Sequence, residues 1–116
     1  MLWVTTWASL QCPLLSVPHE VYSHPWFIAT MGDAYWGFIT FFVWVCFKQK
    51  SVIARTAWFI AIILLGNIAM SAYCLSELSL VSHRDQLAGA LTTRRPGPGW
   101  LGLVLAATGL VVVALA

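Results

Sequence analysis

Two long apolar runs dominate the pattern of hydrophobic and polar positions along the chain. Trp26 to Phe47, WFIATMGDAYWGFITFFVWVCF, is a 22-residue stretch, long enough to cross a hydrocarbon core of roughly 30 Å as a helix. KQK stops it at Lys48. Trp58 to Leu78, WFIAIILLGNIAMSAYCLSEL, is the second, with Glu77 at its outer end. A third run, Trp100 to Ala116, has 17 residues and sits at the short limit for a span. Each run opens on a tryptophan, Trp26, Trp58 and Trp100, the residue that interfacial belts favour. The pattern predicts an all-α integral membrane protein. It has a helical hairpin (26–47 and 58–78), a third C-terminal transmembrane helix (100–116) and a short or truncated N-terminal helix (1–15).

The linkers between these runs differ in kind. MLWVTTWASLQCPLL is apolar but too short to span as it stands, and it lacks the basic leader of a signal peptide. It is expected to form a short membrane or interfacial helix that Pro13 closes. Residues 16–25, SVPHEVYSHP, are bracketed by prolines and read as a polar surface segment. Residues 48–57 form a short basic hairpin loop. Residues 79–99 form a longer polar loop whose Pro-Gly-Pro-Gly end breaks any helix before Trp100.

Composition agrees with lipid as the solvent. The chain is 60% hydrophobic and 9% charged, where soluble domains carry about a quarter charged residues. The net charge of +2 and the absence of a basic block interleaved with aromatics argue against nucleic acid. Cys12, Cys46 and Cys74 are odd in number and widely spaced, so neither a disulfide framework nor a CxxC redox site is expected. Basic residues give a divided topology. Lys48, Lys50 and Arg55 crowd the hairpin loop and argue that it faces the cytoplasm. Arg84, Arg94 and Arg95 lie in the next loop, which must then face the other side. The denser loop decides the expectation, with Lys48, Lys50, Arg55, Trp26, Trp58 and Trp100 as interfacial anchors.

PHEVYSHPWF, Pro18 to Phe27, nearly spells a zinc-protease motif. His19, Glu20 and His24 read H-E-x-x-x-H, one residue longer than H-E-x-x-H. Imidazoles five apart diverge by about 140° around a helix, and Pro18 and Pro25 limit any helix there to a single turn. No metal site and no protease are expected. With every histidine outside the spans, no axially ligated haem or chlorophyll is expected within the chain either. Contact with a lipid, quinone or pigment stays open.

Asp33 is the polar residue that matters inside a run. An ionisable group roughly 10 Å below the outer end of a span costs a few kcal/mol unless it is paired, hydrated or protonated. Thr30, Asp33, Gly37, Thr40 and Trp44 recur at spacings of three and four, forming one small-and-polar stripe. Asn67, Ser71 and Cys74 form another on the second run. In the antiparallel hairpin, Gly37 comes level with Asn67 and Asp33 with Ser71, and the two stripes are expected to meet as a hydrogen-bonded seam. Gly102, Ala106 and Gly109 offer a face that another helix could approach closely.

TTWAS (Thr5 to Ser9), HPWFIAT (His24 to Thr30), DAYWGF (Asp33 to Phe38), VWVCFK (Val43 to Lys48) and LGNIAMSAY (Leu65 to Tyr73) together resemble the domain-of-unknown-function family 1475, a family of small membrane proteins. The resemblance covers about Trp3 to Leu78, and the part after Leu78 departs from it. It implies an integral membrane protein whose first helix ends near TTWAS, with relatives beginning upstream so that Met1 falls inside that helix. It places Asp33, Tyr35, Trp44, Lys48, Arg55, Trp58 and Asn67 on motif positions and implies no activity.

The expected function is therefore non-enzymatic: a small multi-pass membrane subunit that packs against and stabilises a larger integral membrane complex. A photosynthetic or respiratory assembly is the first host to examine, and the bacterial inner membrane the expected location. Its partners are then membrane lipids and that complex. One rival is a protein that binds or acts on a lipid, quinone or isoprenoid through Asp33. Another is a component of a proton or ion pathway.

Overall fold

The computed structural model describes residues 2–94, 96 and 99–115; Met1, Arg95 and Ala116 lie outside the described residues, as do Gly97 and Pro98 of the Pro-Gly-Pro-Gly element. Helices are the regular elements. They are α1 (Leu2–Gln11), α2 (His19–Tyr22), α3 (Pro25–Lys48), α4 (Val52–Leu65), α5 (Asn67–Ser79), α6 (Leu87–Thr92) and α7 (Trp100–Leu115), with single 3-10 turns at Leu14–Ser16 and Arg84–Gln86. Among the described residues α3 alone is long and apolar enough to cross a membrane, while α4 and α7 are apolar but shorter.

Local chemistry sets most of the boundaries. α1 stops just before Pro13, and the proline-bracketed segment holds only the single turn of α2. Pro25 sits in the first turn of α3, where its missing N–H is no loss. His24 caps that turn, its Nδ1 accepting from the Trp26 N–H at 3.3 Å. The 24-residue α3 is about 36 Å long. The turn that follows is short: Gln49 N–H returns to the Val45 carbonyl, and Ser51 caps α4 through the Ala54 N–H.

The run expected as one span, 58–78, is not one helix. It breaks at Gly66, whose φ of +52° and ψ of −125° suit glycine and strain any residue with a Cβ. The Phe38 ring lies over the turn, within 2.8 Å of where a Cβ at Gly66 would stand. α5 then runs back along α4. Tyr73 of α5 meets Trp58 of α4 with ring centroids 4.8 Å apart, and the end of α5 returns to the end of α3. α4 is antiparallel to α3, as Phe42 against Phe59 and Phe38 against Gly66 show.

α7 lies alongside α4 and runs in the same direction. Gly99 approaches Ala54, Gly102 approaches Trp58, and Gly109 approaches Leu64. Gly102, Ala106 and Gly109 are the buried residues of α7. A side chain at Gly102 would come within 2.9 Å of the Trp58 indole, so the small residues are what let the two backbones close. The core is built where the helices converge: Val45 from α3, Trp58, Ala61 and Ile62 from α4, Ala69 and Tyr73 from α5, and Ala106 from α7. Phe38, Phe41, Phe42 and Trp44 pack around it.

Trp58 is 2% exposed, so it is a core residue rather than an interfacial anchor. Trp26 and Trp100 remain 76% and 70% exposed. Lys48 ends a helix inside the core and is not part of an open loop. Residues 79–99 are more than a polar loop, since α6 forms within them and docks on α3.

Candidate functional site

The most ordered chemistry of the molecule lies where α3, α5 and α6 meet. Lys48, fully buried, places Nζ 2.6 Å from Glu77 Oε2. The same ammonium donates to the Ala90 carbonyl in α6 and lies 5.8 Å from the centre of the Trp44 ring. Trp44 Nε1 donates to the Leu91 carbonyl at 2.9 Å. A helix end of this kind leaves carbonyls without intrahelical partners, and two side chains of α3 supply donors for α6.

A second set of contacts closes the α3–α4 turn. Gln49 Nε2 lies 3.2 Å from Tyr73 Oη, and Arg55 Nε donates to the Gln49 carbonyl at 2.8 Å. Arg94 Nε reaches the Phe47 carbonyl at 2.9 Å, with its guanidinium 5.5 Å from the Phe47 ring centre. Tyr73 is the hub of the ring packing, edge-on to Trp58, Trp44 and Phe41. Edge-on geometry aims ring hydrogens at π faces and adds about 0.5–1.5 kcal/mol per pair beyond burial.

Among the described residues every buried side-chain nitrogen and oxygen has a hydrogen-bond partner. The buried polar groups are thus committed to one another. A pair like Lys48–Glu77 holds its helices in register; removing one partner would leave a buried charge uncompensated. An open cleft of about 300 Å³ at the Gln49–Tyr73 contact is lined by Gln49, Tyr73, Ser76, Gly99 and Trp100. No group of three or more His, Cys, Asp or Glu side chains that could hold a metal ion is found among the described residues.

The residues expected to form the seam are placed differently. Thr30, Asp33, Gly37 and Thr40 are exposed on α3, and so are Asn67 and Ser71 on α5. Thr30 and Thr40 spend their hydroxyls on the carbonyls of Trp26 and Trp36 in their own helix. The seam with Ser71 does not form because the chain reverses at Gly66. Phe38 is level with Gly66, and from there α5 runs back along the bundle, with Tyr73 edge-on to Phe41, instead of onward to Asp33. Lys50 is exposed in the α3–α4 turn, and Arg55 is half-buried against Gln49.

Sequence reading missed Glu77 as the partner of Lys48. A continuous helix from Trp58 to Leu78 sends the two charges to opposite ends. The usable signal was the Gly66-Asn67 pair, a helix breaker inside an otherwise regular apolar run.

A family model described as Protein of unknown function (DUF1475) matches residues 15–95. The chain belongs to this family. The DUF1475 match starts after α1, runs past Leu78 through α6, and ends before α7. Lys48, Glu77, Tyr73, Gly66 and Asp33 therefore all lie inside it, and the small-residue face of α7 lies outside. No curated protein matches the chain, and no solved structure does.

Proposed function

We propose that this DUF1475 protein is a small, multi-pass, non-enzymatic membrane subunit that docks on a larger integral membrane complex and stabilises it. A bacterial inner membrane is the expected setting and a photosynthetic or respiratory assembly the first host to examine. The observation that carries this reading is the state of Asp33. It is a carboxylate on an apolar helix, exposed on a stripe with Thr30, Gly37 and Thr40, and the chain's own second run turns away before reaching it. In lipid such a group needs a partner, and a small-residue stripe lets a foreign helix come close enough to supply one.

The outer surface supports the same reading. Trp36, Ile39 and Val43 on α3 and Leu103, Val104, Leu110 and Val111 on α7 are all exposed. So broad an apolar cover suits lipid and a neighbouring helix and would be a liability in water. The buried polar groups, by contrast, are spent inside the chain, as in a structural part.

Purification from the native membrane in mild detergent tests this. The parent chain is expected to co-migrate in fixed stoichiometry with a large complex, and Asp33→Leu to lose that co-migration while still reaching the membrane. A small monodisperse particle carrying a bound lipid, quinone or isoprenoid would instead favour a ligand-binding role for Asp33.

A further inference from the structure

All six Lys and Arg residues of the sequence lie between positions 48 and 95, and Glu20 and Asp33 are the only charged residues before them. Three straight spans would divide those cations between two sides. Folded, the described ones share one end of the bundle. Lys48 closes α3 and meets Glu77 at the end of α5. Arg55 reaches back to the Gln49 carbonyl, and Arg94 to that of Phe47. Arg84 begins the turn that leads into α6, whose Ala90 carbonyl accepts from Lys48. α7 starts at the same end, with Gly99 against Ala54.

The lengths of α4 and α5 agree with this arrangement. At 14 and 13 residues they extend about 21 and 20 Å, short of a hydrocarbon core of roughly 30 Å. Their shared tip at Gly66 is level with Phe38, about 15 Å from Lys48 along α3. Non-helical backbone at such a depth is tolerated where protein covers it. Here the turn is a single residue, its N–H returns to the Ile62 carbonyl, and the Phe38 ring covers it.

We infer that α4 and α5 form a re-entrant hairpin that enters and leaves the bilayer on one side, and that Lys50, Arg84 and Arg94 on that side bind anionic phospholipid headgroups. The inference rests on the membrane reading above. Three exposed cations face outward there, while Glu77 is consumed by Lys48 and Asp85 is the one remaining acid in the sequence from 48 to 95. The opposite end has no Lys or Arg before Lys48. That asymmetry sets the basic end on the cytoplasmic side, where an anionic leaflet adds attraction for each cation.

The test uses the full chain in membrane vesicles of both orientations, with Val52→Cys, Ser82→Cys or Ser23→Cys each added to the parent. A membrane-impermeant maleimide that adds mass per thiol separates each new site from the native cysteines. Val52→Cys and Ser82→Cys should label from the same, cytoplasmic side, and Ser23→Cys from the other. Labelling of Val52→Cys and Ser82→Cys from opposite sides would overturn the hairpin; labelling of both from the side of Ser23→Cys would overturn the placement of the basic end across the bilayer from Ser23, and failure of either to label would overturn its exposure at that end. Extraction in alkaline carbonate comes first: release of the parent chain would sink the membrane reading itself, whereas opposite-side labelling of a retained chain sinks this inference alone. For the headgroups, the chain is reconstituted in mixed phosphatidylglycerol and phosphatidylcholine vesicles, and the lipid retained on extraction is weighed by native mass spectrometry. Lys50→Gln with Arg84→Gln should lower the preference for phosphatidylglycerol by about thirtyfold; an unchanged preference refutes headgroup binding.

Discussion

Glu77 lies 2.6 Å from Lys48, although two helices and a reversal of the chain at Gly66 separate them. The pair joins the end of α3 to the end of α5, and the Ala90 carbonyl ties α6 to the same ammonium. Both groups are almost wholly withdrawn from solvent, so each depends on the other. Glu77→Ala should cost about 3–5 kcal/mol of stability, because it leaves a buried ammonium uncompensated. Lys48→Met combined with Glu77→Leu should recover most of that loss. Thermal unfolding in detergent of the single and double variants decides it; a single variant as stable as the parent would show that the pair is not buried.

Gly66 governs the direction of the chain. Gly66→Ala places a Cβ within 2.8 Å of the Phe38 ring at a φ of +52°. Strain of this kind costs about 1–3 kcal/mol. Adding Phe38→Ala should relieve the collision but not the backbone strain, so rescue of Gly66→Ala should be partial. Full rescue would mean that the glycine is needed only for space.

The α4–α7 contact depends on residues without bulk. Gly102→Val should drive a side chain into the Trp58 indole, 2.9 Å from the first added carbon, and overpacking of this sort costs about 1–3 kcal/mol. Leu103→Val, on the exposed side of the same helix, should be close to neutral. Equal effects of the two, measured by thermal unfolding, would show that α7 does not use this face.

α6 is tied to α3 by two side-chain hydrogen bonds, from Lys48 and Trp44. Trp44→Phe removes the donor to the Leu91 carbonyl and keeps most of the ring packing, for a loss of about 0.5–1.5 kcal/mol. Amide exchange over residues 87–92 should quicken in this variant, while exchange in the middle of α4 stays at the parent rate. Uniform quickening would point to global loosening instead.

Asp33 is exposed on α3, so the isolated chain should not need its charge. Asp33→Asn and Asp33→Leu should both be at least as stable as the parent, because each removes an ionisable group exposed on an apolar helix. A loss of stability in the isolated chain would place Asp33 in an internal contact and remove the reason for assigning it to a partner.

Much of the secondary structure was determined by the sequence alone. The run from Trp26 to Phe47, with Pro25 before it and Lys48 after it, is helix α3 because Pro25 presets the first helical turn and no further proline interrupts the run. Gly102, Ala106 and Gly109 lie on one helical stripe, and that stripe is the buried face of α7. What only the tertiary structure decided is direction. Hydropathy reports which solvent each residue prefers and says nothing about whether a helix continues through a glycine. A single backbone conformation at Gly66 turned an expected crossing into a return. That return brought Glu77 to Lys48, carried Ser71 away from Asp33, and moved Trp58 from an expected rim into the core.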